Sequence, residues 1–367
     1  MPRVVHLVPS FGWGGAERIG CTVHRMARQA GWDSRMDGIS LSPVRAGILE
    51  DTGDDIPDRT DRESTIAGWC RAARARVKQE KPDIVHAHLA YPDRITASIV
   101  AAAGRPYVAT FGLVPQRASQ WSPDELVRVR SDRTLAWIAH TRSHTRFVAV
   151  SAADARILSP LIPARRLATV ANFPPLEPAR PPPVAPVDWP ANTTRILTVG
   201  RLHEQKGYDR LIEALAAPSL RALRWHWIAV GDGDAREDLE AALVACRLRD
   251  RVTFTGTRPA YDLFPRSQIV LSPSRYEGWP LVPMEALQHR VPVVGSDIPQ
   301  HHELMGRAHG SILPTDEAAW PAHLAPLLAN ADAREALRTR QESVRPVDPV
   351  GSMWAAYEAI YRAVASE

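Results

Sequence analysis

With 367 residues and 45% apolar side chains, the chain is long enough for two packed domains. The formal net charge is +4, and the excess of Lys and Arg falls before residue 178. That half suits an anionic partner, an acidic glycan or a membrane face, or else simply carries solvated Arg-rich helices. No run of 18 apolar residues occurs and Met1 opens directly on a strand pattern, so neither a transmembrane span nor a signal peptide is expected.

Residues 4–8 read as an apolar strand. Phe11-Gly12-Trp13-Gly14-Gly15 then forms a glycine-rich loop opening a helix over 16–29. Glycines let the backbone approach a ligand, and a helix start favours a phosphate. The spacing is not G-x-G-x-x-G, which disfavours a dinucleotide-binding dehydrogenase. A plain strand-to-helix turn would explain the glycines but not the Glu17-Arg18 pair. Residues 36–62, irregular and rich in Asp, read as a strand and then a surface loop. A helix over 65–80 aligns Arg71, Arg74 and Lys78, either a solvated stripe or a cationic membrane or glycan surface. Asp83-Ile84-Val85-His86-Ala87-His88 is a strand whose alternation puts both histidines on one side. A metal reading and a polar ligand-facing reading both stand there; no third ligand at a metal spacing accompanies the pair, which favours the second. A helix over 93–103, a strand over 106–111, Gly112 and helical residues 123–142 follow. His140 and His144 lie four apart on one helical face and read as packed or surface side chains. Strands at 147–150 and 167–170 complete this half. Cys21, Cys70 and Cys246 are far apart, form no metal spacing and fit a reducing cytoplasm.

Composition then shifts. Residues 173–190 are rich in proline, with the run Pro181-Pro182-Pro183, and read as a stiff connector. Beyond it strand-then-turn units recur. Leu197-Thr198-Val199 leads into Gly200-Arg201 and Lys206-Gly207, with a helix over 208–216. Ile228-Ala229-Val230 leads into Gly231-Asp232-Gly233-Asp234, and Val252-Thr253-Phe254-Thr255 into Gly256. Gln268-Ile269-Val270-Leu271 leads into Ser274-Arg275-Tyr276-Glu277-Gly278-Trp279-Pro280-Leu281-Val282-Pro283-Met284-Glu285. Pro280 and Pro283 mark a first helical turn, so Glu277 sits in the loop and Glu285 inside the helix. A carboxylate there can chelate a vicinal diol, and free N–H groups at the helix start can bind an anion. A sugar nucleotide suits such a place. In the tail, Trp354, Tyr357, Ile360 and Tyr361 form a helical stripe.

These motifs resemble glycosyltransferase family 4, the large group 1 family of retaining GT-B enzymes. The resemblance rests on Gly200-Arg201 to Lys206-Gly207, Gly231-Asp232-Gly233, Glu277 with Glu285, Gly14-Gly15-Ala16-Glu17-Arg18 and His86 with His88. It implies an α/β chain of the GT-B class, with two Rossmann-like domains facing across a cleft. On that scheme residues 1–172 form the acceptor-side domain, 173–191 the linker, 192–345 the nucleotide-sugar domain, and 346–367 a last helix crossing back to the first domain. The resemblance further implies transfer from a nucleoside-diphosphate sugar, UDP-linked, with the anomeric configuration retained. Arg201, Lys206 and Glu277 would be catalytic, the two cations neutralising the leaving diphosphate and Glu277 touching the sugar. Glu285 would bind the ribose, and Gly14, Gly15, Gly200, Gly231, Asp232, Gly233, Gly278, Leu281 and Val282 would line the donor. Glu17, His86 and His88 would face the acceptor.

No cofactor and no metal are expected. Asp232-Gly233-Asp234 spells the D-x-D that binds Mn²⁺ in the other large glycosyltransferase fold, but here it reads as a nucleotide-binding turn. Two positions depart from the family pattern. Arg290 stands where glycine is usual, a cost on the order of 1 kcal/mol if that residue needs positive φ. Gly112 stands where a histidine commonly reaches the donor sugar. A donor lacking a 6-hydroxyl, a substitute such as His88 or His140, or a weakened site each accounts for it. Three functions follow: a transferase building a glycan or glycolipid at the cytoplasmic membrane face, a transferase acting on a small soluble aglycone, or a scaffold without turnover. A nucleic-acid partner is not expected.

Overall fold

The computed structural model describes residues 2–8, 15–40, 60–62, 66–89, 105–112, 144–174 and 185–366. The loop at 11–14 with Gly14, the helices expected over 93–103 and 123–142 with His140, and the middle of the proline-rich connector lie outside them. The chain divides into two units, Met1–Pro182 with Asp348–Glu367, and Pro183–Val347.

The first unit is built on β1 (Arg3–Val8), α1 (Gly15–Gln29), β2 (Asp33–Ser40), β3 (Thr60–Arg62), α2 (Ile66–Glu80), β4 (Ile84–Leu89), β5 (Tyr107–Phe111), β6 (Thr145–Ala149), α3 (Ala152–Leu158) and β7 (Leu167–Thr169). Its seven strands pair in the order β3-β2-β1-β4-β5-β6-β7, every pair parallel. Parallel strands need crossover connections, so both sheet faces are covered and the strands are nearly continuous apolar runs. One face carries Val5, Leu7, Val85, Ala87, Tyr107, Ala109 and Phe111 against Val77 of α2 and Leu158 of α3. The opposite face carries His6, His86, His88 and Thr110, all buried. Strand β2 begins at Asp33, three residues before the expected start, and β3 interrupts the expected loop. On α2, Arg71, Arg74 and Lys78 are exposed.

The last helix, Pro349–Ser366, buries Met353, Trp354, Tyr357, Tyr361 and Val364; of the expected stripe, Trp354, Tyr357 and Tyr361 are buried and Ile360 is half-buried. It packs against α1, β4 and β6 of the first unit. Both ends of the connector are pinned rather than free. Phe173 is buried with its N–H on Met353 Sδ at 3.2 Å, and Trp189 is buried with Nε1 donating to Ile196 O at 3.1 Å. Expecting residues 173–191 to be unpacked throughout overlooked these aromatic rings, whose burial outweighs the connector's stiffness.

The second unit comprises β8 (Thr194–Val199), α4 (Tyr208–Ala216), β9 (Trp225–Val230), α5 (Arg236–Ala245), β10 (Val252–Phe254), β11 (Ile269–Ser272), α6 (Leu281–Gln288), β12 (Val293–Gly295), α7 (Pro299–Met305), α8 (Trp320–Ala329) and α9 (Ala331–Gln341). The strand order is β10-β9-β8-β11-β12, again parallel throughout. Its core joins Leu211, Leu215, Trp225, Trp227, Leu271 and Leu324. No helix among the described residues is long and apolar enough to cross a membrane.

Arg290, just beyond α6, has φ +56°, the left-handed region that favours glycine. Its ion pair, Nε to Glu342 Oε1 at 3.6 Å, is exposed, and Glu342 also pairs with Arg338 and Arg345. Such a pair contributes little. Arg290→Gly is therefore expected to raise stability by about 1 kcal/mol. An unfolding midpoint in denaturant that stays unchanged or falls would contradict this.

Candidate active site

In the second unit the chain leaves β8 towards β9 and β10 on one side, then returns to place β11 and β12 on the other. The loops following β8 and β11 therefore diverge at a switch in strand order, where open parallel sheets form their ligand crevice. Those two loops are the motif-bearing residues 200–207 and 273–280.

Polar contacts lock the loops to each other. Lys206 Nζ lies 2.6 Å from Glu277 Oε1, and the same oxygen accepts the Ser274 hydroxyl at 2.7 Å. Both charged side chains are largely buried, at 22% and 11% exposure, so the pair is held at the protein's interior edge. Arg275 forks onto Asp209 at 2.7 and 2.6 Å, and its backbone N–H reaches Gln205 O at 2.7 Å. Gln205 Nε2 in turn donates to Tyr276 O at 3.0 Å. Gly207, φ +65°, closes the first loop, and a Cβ there would stand 2.2 Å from Pro273 O. Only glycine permits this approach.

Behind Glu277 lies a layer that the sequence reading did not single out. His301 of α7 is fully buried; its Nδ1 lies 2.8 Å from Ser296 O and its Nε2 3.2 Å from Ser272 Oγ. Burial drives its pKa down to about 4, so the ring is neutral. Ser296 Oγ donates to Ser274 O, tying this layer to the loop that carries Glu277. Spacing gives no hint of these partners, because each joins a different strand end.

The remaining expected residues fall as follows. Arg201 is exposed, and no ion pair to it is found among the described residues. Glu285 is buried on the second turn of α6, Gly278 is buried in the preceding loop, and Leu281 and Val282 open the helix half-buried. No side chain caps α6, which starts from Pro280. Gly231 has φ +138°, and a Cβ on it would meet Gly200 O at 2.0 Å. Packing of one turn on the next already requires that glycine, independently of any ligand. Asp232 Oδ1 accepts its neighbour's N–H at 2.9 Å and faces Arg236 at 3.8 Å; Asp234 faces His203 at 3.9 Å. The two carboxylates thus have partners of their own. In the first unit, Gly15 is exposed and Glu17 half-buried at the start of α1, and Gly112 is half-buried just past β5.

His86 and His88 require a correction. They are 0% and 1% exposed, inside the layer between the sheet and the last helix. His86 Nδ1 lies 2.6 Å from the Tyr361 hydroxyl and Nε2 2.8 Å from Thr110 Oγ1. His88 Nε2 lies 3.1 Å from His6 Nδ1. An acceptor-facing role asks for reachable ring nitrogens, and these are enclosed. Burial holds His6 and His86 well below the usual imidazole range and His88 down to about 3.

Two parallel α/β units make up the GT-B architecture, and GT-B glycosyltransferases are among the solved structures that this chain resembles. Residues 13–177 match the family model described as Glycosyltransferase Family 4, and residues 193–330 match that described as Glycosyl transferases group 1. The chain belongs to this family. It is 38% identical over 107 residues to alpha-D-kanosaminyltransferase of Streptomyces kanamyceticus, a stretch that covers 28% of each chain. It is 32% identical over 141 residues to the lipopolysaccharide core biosynthesis mannosyltransferase LpcC of Rhizobium leguminosarum bv. viciae, covering 36% of this chain and 40% of that one. These matches span less than half the length of either relative. HepE of Anabaena, solved in complex with UDP and glucose, superposes with a TM-score of 0.77 at 17% identity, covering 100% of both chains.

Proposed function

We propose that the protein transfers a sugar from a UDP-sugar to a glycan or glycolipid acceptor, with retention of the anomeric configuration. The observation that carries this reading is the Lys206–Glu277 pair at the β8/β11 switch point, beside the uncapped start of α6. Departure of a nucleoside diphosphate develops negative charge, and cations already fixed in a water-poor place stabilise it without reorganising. Lys206 is fixed by Glu277 and Ser274 holds the carboxylate, while exposed Arg201 is free to close on the phosphates from solvent. Glu285, buried on α6, is assigned to the ribose hydroxyls and Glu277 to the sugar.

The UDP assignment leans on the complex reported for HepE, and the acceptor class on the lipopolysaccharide relative. A second reading, transfer to a small soluble aglycone, is favoured by the likeness to alpha-D-kanosaminyltransferase. One experiment separates them. Purified protein is incubated with UDP-, GDP- and ADP-sugars and either glycolipid in anionic vesicles, at low and high salt, or small polyol acceptors. Products are then read by mass spectrometry and proton NMR. The exposed Arg71, Arg74 and Lys78 on α2 motivate the salt comparison. Glycolipid product with an unchanged anomeric coupling supports the first reading; product on the small acceptor alone supports the second, and an inverted coupling removes retention.

Donor turnover is expected to be the same with and without added Mn²⁺ or Mg²⁺. Asp232 and Asp234 are engaged by Arg236, His203 and their own turn, and Lys206 already supplies positive charge. A severalfold rise in initial rate on adding either ion would reassign the Asp232-Gly233-Asp234 turn as a metal site.

A further inference from the structure

Three histidines meet on one face of the first unit's sheet. His6 on β1 and His86 on β4 are register partners across the parallel ladder, and His88 follows two residues on, on the same face. Each offers a ring nitrogen, and the three atoms lie within 4.8 Å of one another. His86 and His88 alone lacked a third ligand; the pairing of β1 with β4 supplies it.

The cluster is incompletely satisfied. His6 Nδ1 and His88 Nε2 share one hydrogen bond, so one ring must donate and the other accept. Whichever tautomers they adopt, one buried N–H and one buried lone pair are left over, on His6 Nε2 and His88 Nδ1, and neither atom has a partner among the described residues. A buried polar atom left without a partner is costly. Native cores seldom keep such groups unpaired.

We propose that His6, His86 and His88 bind a transition-metal cation of the zinc type, which fastens β1 and β4 to the last helix. Two ligand atoms on a tetrahedral zinc, each bonded at about 2.0–2.1 Å, stand roughly 3.3 Å apart. The 3.1 Å between His6 Nδ1 and His88 Nε2 is close to that edge. The two unpartnered atoms, His6 Nε2 and His88 Nδ1, are the remaining donor nitrogens of the same two rings. His86 already has what a metal-bound imidazole usually has, a partner on its far nitrogen: Thr110 Oγ1 at 2.8 Å, itself 3.1 Å from the Tyr357 hydroxyl. The Tyr361 hydroxyl, 2.6 Å from His86 Nδ1, is placed as a fourth, oxygen donor. Imidazole must be neutral to ligate, and burial keeps all three rings neutral. Three nitrogen donors in an apolar, water-poor layer select zinc or a similar ion over Mg²⁺ or Ca²⁺, which take oxygen. The site is independent of the donor-binding reading.

The test uses the full-length chain without a polyhistidine tag, produced with Zn²⁺ in the medium. Elemental analysis should find about one zinc per chain, and Co²⁺ replacement should give the visible absorption of a tetrahedral site. Removing zinc with a chelator should lower the thermal midpoint, and adding it back should restore it. His6→Gln and His88→Gln should each weaken zinc binding at least tenfold. Should either fail to fold, Thr110→Val, which removes only a partner of His86, should weaken it about 10–100-fold. His302→Ala, which alters an exposed histidine–aspartate pair, should leave binding unchanged. Protein that takes up no stoichiometric zinc, with a midpoint indifferent to zinc and chelator, overturns the proposal. So does zinc that is retained by both glutamine variants or lost with His302→Ala.

Discussion

Lys206→Ala is expected to lower kcat/KM by about 10²–10³-fold while the protein stays folded, the loss typical of removing one preorganised charge-stabilising group. Its ammonium sits 2.6 Å from Glu277 in a spot where water screens weakly. Arg201 is exposed and makes no ion pair among the described residues. The variant also leaves Glu277 with the Ser274 hydroxyl and no cation, so part of the loss reflects a carboxylate without its partner. Glu277→Gln alone and combined with Lys206→Ala separates the two contributions: a pair that acts as a unit gives a double variant little worse than the worse single one. On the proposed assignment of Glu285 to the ribose, Glu285→Ala should cut activity comparably through donor affinity, since the ribose hydroxyls would lose their carboxylate partner. Near-normal rates in purified, folded Lys206→Ala or Glu285→Ala would sink the site assignment.

Gly207→Ala should destabilise the second unit by about 2–3 kcal/mol. Two penalties coincide at this residue. The backbone is left-handed at φ +65°, and the added methyl would stand 2.2 Å from the carbonyl oxygen of Pro273, which cannot swing aside as a side chain could. Relief requires the two site loops to part, so activity should fall together with stability. Chemical denaturation and donor kinetics on one preparation check both. A stable variant with ordinary donor affinity would mean that the loops can separate without harm.

The second unit was largely legible in the sequence. Its strands are short apolar runs punctuated by glycine, and the helix expected over 208–216 is found as Tyr208–Ala216. Pro280 and Pro283 marked the start of α6, which put Glu277 before the helix and Glu285 within it. Left-handed backbone at Arg290 followed from an unexpected residue at a glycine position. What escaped were contacts made between strand ends. Arg275 with Asp209, and His301 with Ser272 and Ser296, involve residues brought together by strand order, which no local period encodes. The histidines show the same limit. His86 and His88 stand two apart, but His6 is 82 positions from His88 and becomes a neighbour only when β1 pairs with β4. Burial of that sheet face also could not be foreseen without knowing what covers it.

That cover is the last helix, and its origin in the chain has a consequence for synthesis. The second unit is one uninterrupted segment, Pro183–Val347, whereas the first is split, with Asp348–Glu367 supplying its final piece. A ribosome delivers residues from the N-terminus onward. The half made first is therefore the half finished last, its histidine-bearing face waiting for Tyr357 and Tyr361 through the making of the whole inserted unit. A nascent chain halted after Val347 would hold a complete second unit and a first unit with an open seam.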